Sequence, residues 1–311
     1  GYVPKGPALA ERSPRLVALT LAALHRVARA HGVRYLAVQP GRDGQPVAQQ
    51  LQAQGFQPQP GLGTCTATLL VDLAPEPEAI LARMKKRTRL NIRRSERCGV
   101  VVREGDAGEL DAFYRLLVAA GARKGFPVYA RAYYQELWQA LAPQGRIRLF
   151  LAERAGEVLS AQLAIPFGDT LYSHVSAWSG EQGDAKPNEA LEWGAMLWAK
   201  RHGYRYYDFE GIDPPTAEAL ARGEAPPAPP DEAADAMVTS YKLGFGGQVT
   251  LLPAVYDYVY NPLLRWGYTR GLPALQRWRL LPRLRKLVGR AIRPPSAAAR
   301  RPPGGTDDGT S

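Results

Sequence analysis

The sequence predicts an α/β (α+β) protein assembled from two copies of one unit, and three observations carry that prediction. One helix-to-strand joint is written twice: Ala28-Arg29-Ala30-His31-Gly32-Val33-Arg34-Tyr35 aligns with Ala199-Lys200-Arg201-His202-Gly203-Tyr204-Arg205-Tyr206. Further on, Gly55-Phe56 and Gly244-Phe245 each precede a β-prone stretch, residues 66–72 and 248–252. Finally, 311 residues that are 45% hydrophobic suffice for two cores. A repeated strand–helix–strand and helix–turn–strand order reads as a duplicated α/β unit.

The elements follow in order. Residues 13–31 read as a helix, with Ser13 as N-cap, Pro14 at the first helical position, and Leu16, Leu19, Leu24 and Val27 on its apolar face. It stops at His31-Gly32, and residues 33–38 form a strand. The first copy thus begins near its fourth strand, its earlier ones being absent. A helix over 78–97 leads through Gly99 into a strand over 99–103. Helices over 107–123 and 130–142 come next, with Gly121 a soft spot, then a hairpin of residues 146–154 and 158–167 turning at Ala155-Gly156. Strand 170–179, helix 187–202 and strand 204–211 continue the unit. Residues 213–235, rich in Pro, Ala and Glu, read as a mobile loop, and 236–247 as a short helix ending in Gly-Phe-Gly-Gly. Residues 253–290 read as basic helices packing back on the first copy, and 294–311 as a disordered tail. The expected domains are therefore 1–77, completed by 253–290, and 78–252.

Charge narrows the function classes. The net charge is +11, which favours phosphate-bearing partners or an anionic membrane surface. Eight basic side chains fall within residues 83–97. Two cysteines imply no disulfide framework, and no apolar run is long enough to span a bilayer, so a cytoplasmic monomer is the expectation. The four histidines show no metal-ligand spacing, and no metal is expected.

Four motifs then align with one family. Val3-Pro4-Lys5-Gly6-Pro7 resembles a "P-R-G-P" segment with Lys5 in place of Arg. Met84 to Arg94 resembles a "K-x-R-x-N-I-R" helix. Ala199–Gly203 with Tyr207-Asp208-Phe209-Glu210-Gly211-Ile212 resembles "A-x-x-x-G-x-x-x-Y-D-F-x-G-I". Tyr241-Lys242-Leu243-Gly244-Phe245-Gly246-Gly247 resembles "F-K-x-G-F-G-G". These are the marks of the Fem family of non-ribosomal peptidyl transferases. The resemblance, which runs from about residue 3 to about 265, implies two GNAT-like (acyl-CoA N-acyltransferase-like) domains, the first N-terminally incomplete. It implies transfer of an amino acid from aminoacyl-tRNA to a stem-peptide amine of a peptidoglycan precursor, lipid II or a UDP-muropeptide. It also implies that aminoacyl-tRNA is a co-substrate and that no bound cofactor is used.

Aminolysis of an activated ester mainly needs positioning and a cation at the developing oxyanion. The resemblance assigns that cation to Lys242; on residues alone, the better reading of Lys242 is a solvated helix-end lysine. Asp208 and Glu210 alternate along one strand and share a face, where either could orient or deprotonate the amine, or where Asp208 could instead satisfy strand-end amides. Arg87, Arg89, Arg93 and Arg94, with Arg148, are the candidate phosphate contacts, against a solvated helix face. Gly246 and its neighbouring glycines allow a tight turn approaching a ligand, with Tyr241 and Phe245 beside it, or a simple C-cap. Tyr256, Tyr258, Tyr260, Trp266 and the arginines after them suit a membrane surface holding a lipid-linked substrate, hence peripheral contact with the inner leaflet, or else a helix packed on the first domain.

Two other classes compete. An acetyl-CoA-dependent GNAT enzyme would need a phosphate cradle at residues 39–44 or 179–184, and neither reads as one. A non-catalytic nucleic-acid-binding protein would use the basic helix alone.

Overall fold

The computed structural model describes residues 1–11, 13–59, 65–227, 234–261, 263 and 264. The chain runs β1 (Tyr2–Val3), α1 (Pro14–Ala30), β2 (Tyr35–Val38), α2 (Gln45–Ala53), β3 (Gln57–Gln59), β4 (Ala67–Asp72), α3 (Pro77–Arg83) and α4 (Lys86–Arg97). Then come β5 (Val101–Gly105), α5 (Leu110–Lys124), α6 (Arg131–Leu141), β6 (Arg148–Arg154), β7 (Glu157–Phe167) and β8 (Thr170–Trp178). Last are α7 (Pro187–Arg201), β9 (Tyr206–Gly211), α8 (Pro214–Ala221), α9 (Ala234–Lys242), β10 (Gln248–Leu251) and β11 (Val255–Val259).

Two sheets form among the described residues, one ordered β1-β2-β11-β3 and one ordered β10-β4-β9-β8-β7-β6-β5. The repeat read from the sequence is visible in both. β1 runs parallel to β2 as β8 does to β9. Antiparallel β11 lies between β2 and β3 as antiparallel β4 lies between β9 and β10. The two joints share one geometry: His31 caps with φ −94° and His202 with φ −93°, each followed by a glycine at positive φ.

The strands in the β4 and β11 positions are exchanged. Residues 67–72, expected in the first unit, are a central strand of the large sheet, so the chain enters that sheet before residue 77. Residues 255–259, expected as helix, return to fill the matching place in the small sheet. Val255-Tyr256-Asp257-Tyr258-Val259 is β-branched and aromatic, which suits a strand with neighbours on both sides. Tyr256 is buried in the core with Val17, Leu21, Leu51 and Phe56, while Tyr258 and Tyr260 ring His25. Tyr256 thus belongs to the core of the first unit, and Tyr258 and Tyr260 pack against it. The expected helices beyond 264 and the tail lie outside the described residues.

Other differences are local. In α1 the buried positions are Val17, Leu21 and Ala28; Leu19 and Val27 are exposed, one step off the expected stripe. The helix expected over 78–97 breaks at Met84-Lys85, both extended, and restarts. There Lys85 N donates to Gly244 O at 2.8 Å instead of to a helical carbonyl. The expected mobile loop begins with α8, nucleated by Asp213, whose carboxylate accepts from Thr216 N at 2.9 Å, with Pro214 at the first turn. α7 packs with α3 and α4 over one face of the large sheet, and α5 with α6 over the other.

Candidate active site

β8 and β9 pair only from Thr170–Tyr172 to Tyr206–Asp208 and then separate. Beyond that point β8 carries His174 and Ser176, and β9 carries Glu210 and Gly211. The split is where the candidate residues gather. α9 ends at Lys242 beside it, and Lys242 Nζ donates to Gly211 O at 2.6 Å. Burial pulls the Lys242 ammonium below its ordinary value, against the opposing charges of Glu192, Cys65, Glu210 and Asp208. A lysine tied to a strand end and surrounded by acids is no solvated helix-end lysine.

Asp208 and Glu210 do share a face, with different duties. The Thr68 hydroxyl donates to the Asp208 carboxylate, and Glu210 N donates to the same oxygen at 2.7 Å. Asp208 therefore satisfies its own strand end, the structural role foreseen for it. Burial raises its pKa, opposed by Lys5 and by these two donors. Glu210 sits at φ 55°, a left-handed conformation costly for a side chain with a Cβ. That bend turns its carboxylate toward Lys5, whose Nζ donates to Oε1 at 2.8 Å and lies 4.7 Å from the centre of the Tyr172 ring. His174 Nδ1 stands 3.7 Å from Oε2, long for a hydrogen bond. Burial pushes the Glu210 carboxyl up, but His174 and Lys5 together hold it below the usual range. For Lys5, burial is outweighed by Glu210 and Asp208, and its pKa is raised. Cys65 lies in the same neighbourhood, its thiol raised by burial.

Several expected contacts belong elsewhere. Phe245 is fully buried between Phe209 and Tyr241 as core, not as a site lining. Gly246, at φ 73°, faces backbone: a Cβ there would fall on Arg83 O. The glycine turn thus approaches the α3–α4 junction rather than a ligand. Arg89 Nη1 donates to Met84 O at 2.6 Å and Ala82 O at 3.2 Å, closing the end of α3. Arg94 pairs with Asp184 at 3.4 Å, whereas Arg87 and Arg93 project from α4 exposed. Arg148 stacks on Trp198 at 5.5 Å, three strands from β9. Tyr241 packs beside Lys242, but its hydroxyl is buried without a hydrogen-bond partner.

Beneath the split lies a polar group the sequence reading missed. Glu192 of α7 accepts from the Tyr207 hydroxyl, and the Gln162 side-chain nitrogen reaches Glu192, Tyr207, Ser173 and Ser176 at 2.7–3.2 Å. An acid inside the otherwise apolar run Ala190–Ala199 was the signal available. Lys5, Tyr172 and His174 gave less, since only the folded chain brings them to Glu210. At the turn before α7, Glu189 occupies the first helical turn and accepts from Asn91 at 2.8 Å. A carboxylate there opposes the pyrophosphate of acetyl-CoA at that helix end. Among the described residues no cluster of three or more His, Cys, Asp or Glu could hold a metal, and no helix is long and apolar enough to cross a membrane.

Comparison with known proteins agrees with this architecture. Residues 82–216 match the acetyltransferase (GNAT) domain family. A UDP-N-acetylmuramoylpentapeptide-lysine N(6)-alanyltransferase from Weissella viridescens is 29% identical over 148 residues, 47% of this chain and 44% of the relative. The chain thus matches less than half of that relative's length. The crystal structure of FemX superposes with a TM-score of 0.72 at 19% identity, covering 85% of this chain and 81% of that one. The C-terminal domain of a putative lysylphosphatidylglycerol synthetase from Agrobacterium fabrum gives 0.54 at 12% identity, over 83% and 78%. The fold is therefore that of tandem GNAT domains, joined here by the exchange of β4 and β11.

Proposed function

We propose that this protein is an aminoacyltransferase that moves an aminoacyl group from aminoacyl-tRNA to a side-chain amine on the stem peptide of a peptidoglycan precursor. The observation that carries the reading is Lys242 Nζ, held at the β8/β9 split, 2.6 Å from Gly211 O and within the field of Glu210 and Asp208. The alanyltransferase relative, whose name specifies the lysine of a UDP-linked muramoyl pentapeptide, supports the acceptor class.

In this reading the acceptor amine attacks the ester carbonyl carbon. A C–N bond forms, the C–O bond to the ribose breaks, and the leaving hydroxyl takes up the proton that the amine gives up. The Lys242 ammonium faces the oxygen on which negative charge develops. Glu210, kept ionised by Lys5 and His174, orients the incoming amine; Asp208 fixes the strand end that aims it. The exposed Arg87 and Arg93 meet phosphates of the RNA or the precursor. No metal or bound cofactor takes part.

The test is transfer of labelled amino acids from a charged tRNA pool to a UDP-muropeptide or to lipid II in vesicles. Wild-type transfer that falls by about 10²–10³-fold in Lys242→Ala supports the reading. Absence of transfer from every charged tRNA, with acetyl-CoA accepted instead, would replace it with an ordinary acetyltransferase.

A further inference from the structure

We infer that Glu192, with Tyr207, Gln162 and Tyr241, forms a buried site for the α-ammonium of the donor's aminoacyl group, and so selects aminoacyl over other acyl donors. The inference rests on the proposed aminoacyl transfer and adds the group by which the donor is recognised.

Four observations converge. Glu192 is only 5% exposed, in a helix otherwise apolar on that face. Burial raises the Glu192 pKa, so its ionised form there is costly unless a positive partner joins it. Among the described residues, the Tyr241 hydroxyl is one of two buried side-chain polar groups without a partner. The groups that act on it electrostatically are Glu192, Glu189 and Tyr207. A buried hydroxyl with nothing to bond is a hydrogen-bonding group left over for a polar ligand.

The third observation is continuity with the split. Gln162 bridges Glu192 to the hydroxyl of Ser176, which is exposed on β8 beyond the point where β9 leaves it. A line of polar groups thus runs from the open split to the carboxylate.

The fourth is placement. Glu192 heads the charges opposing the burial of Lys242, and Lys242 acts on Glu192 in return. An aminoacyl ester carries its ammonium on the carbon next to the carbonyl. A donor whose carbonyl oxygen faces Lys242 must therefore present its ammonium to a neighbouring acid. A simple acyl group brings no cation to Glu192 and leaves it with the Tyr207 and Gln162 donors alone.

The test uses the full chain and two RNA minihelices, one ending in 3′-alanylamino-3′-deoxyadenosine and one in its 3′-lactylamino counterpart, which has a hydroxyl for the ammonium. Wild type should bind the alanyl probe about 10–100-fold more tightly, the range of a charge-assisted hydrogen bond. Glu192→Gln should remove that preference while binding the lactyl probe unchanged, since Gln still accepts from Tyr207. Equal affinity of wild type for both probes, or equal weakening of both by Glu192→Gln, would overturn the inference and leave aminoacyl transfer intact. Failure of wild type to bind either probe would overturn the aminoacyl reading itself. Should Glu192→Gln fail to fold, Tyr241→Phe carries the test: a reduced alanyl preference supports the site, and an unchanged one overturns it.

Discussion

Lys5 and Glu210 stand 205 positions apart in the chain and 2.8 Å apart in space, and both hold backbones at positive φ. Their pKa shifts fix how stability follows pH. Glu210 is depressed from its ordinary 4.5, so its contribution is full above that value and is lost as pH falls through its lower folded value. Lys5 is raised from 10.5, so its contribution is full below that value and is lost as pH rises through its higher folded value. Lys5→Met should therefore destabilise by about 1–3 kcal/mol at neutral pH. In thermal melts across pH, the gap to wild type should close in acid below the folded Glu210 value. Lys242 works in the opposite sense, its pKa lying below 10.5. If its ammonium is the catalytic form, the pH–rate profile should fall on the alkaline side before pH 10.5. Lys242→Arg should move that limb out of range, whatever its effect on rate. Tyr241→Phe removes an unpaired buried hydroxyl and should leave the melting temperature equal to or above wild type.

At the scale of elements, the glycine turn after α9 separates close approach from simple conformational need. Gly99 and Gly246 have nearly the same φ, 74° and 73°. A Cβ on Gly99 meets nothing within 4 Å, whereas on Gly246 it falls on the carbonyl of Arg83. Gly99→Ala should cost about 1–2 kcal/mol, the left-handed penalty alone. Gly246→Ala adds overpacking of about 1–3 kcal/mol and, on the proposed function, should also lower transfer, because it pushes α9 and Lys242 off the α3–α4 junction. Chemical denaturation of both variants, with transfer assays, checks the contrast. The arginines of α4 divide similarly. Arg89→Ala should lower stability because Arg89 closes α3, while Arg87→Ala and Arg93→Ala should leave melting unchanged and, on the proposed function, reduce the salt dependence of RNA binding.

At the scale of the whole molecule, the placement of β4 and β11 makes the first unit depend on a strand that follows the whole second unit, while the second takes β4 from the segment just after β3. A chain ending at residue 254 lacks β11 and leaves β2 and β3 without the strand between them. Such a chain should lose the cooperative melting of the first unit, whose core includes Tyr256, and expose unpaired strand edges. Circular dichroism and exchange of the β2 amides would report it; a protected β2 would show that the first unit stands without the returned strand.

The sequence by itself determined the local grammar: the twin His-Gly joints, the Pro14 and Pro187 helix starts, the hairpin at Ala155-Gly156, and the strand that places Asp208 and Glu210 on one face. These rest on capping, turn conformations and the two-residue strand period, all properties of neighbours in the chain. Tertiary structure alone decided which sheet β4 and β11 enter, because both read as good strands and only the pairing partner differs. It alone turned the glycine-rich motif into a packing surface and sent Arg89 and Arg148 to backbone and ring instead of toward the split. It alone brought Lys5, His174 and Glu192 to the residues the motifs had marked. Ion pairing and burial depend on distance in space, and a sequence orders residues only by distance along the chain.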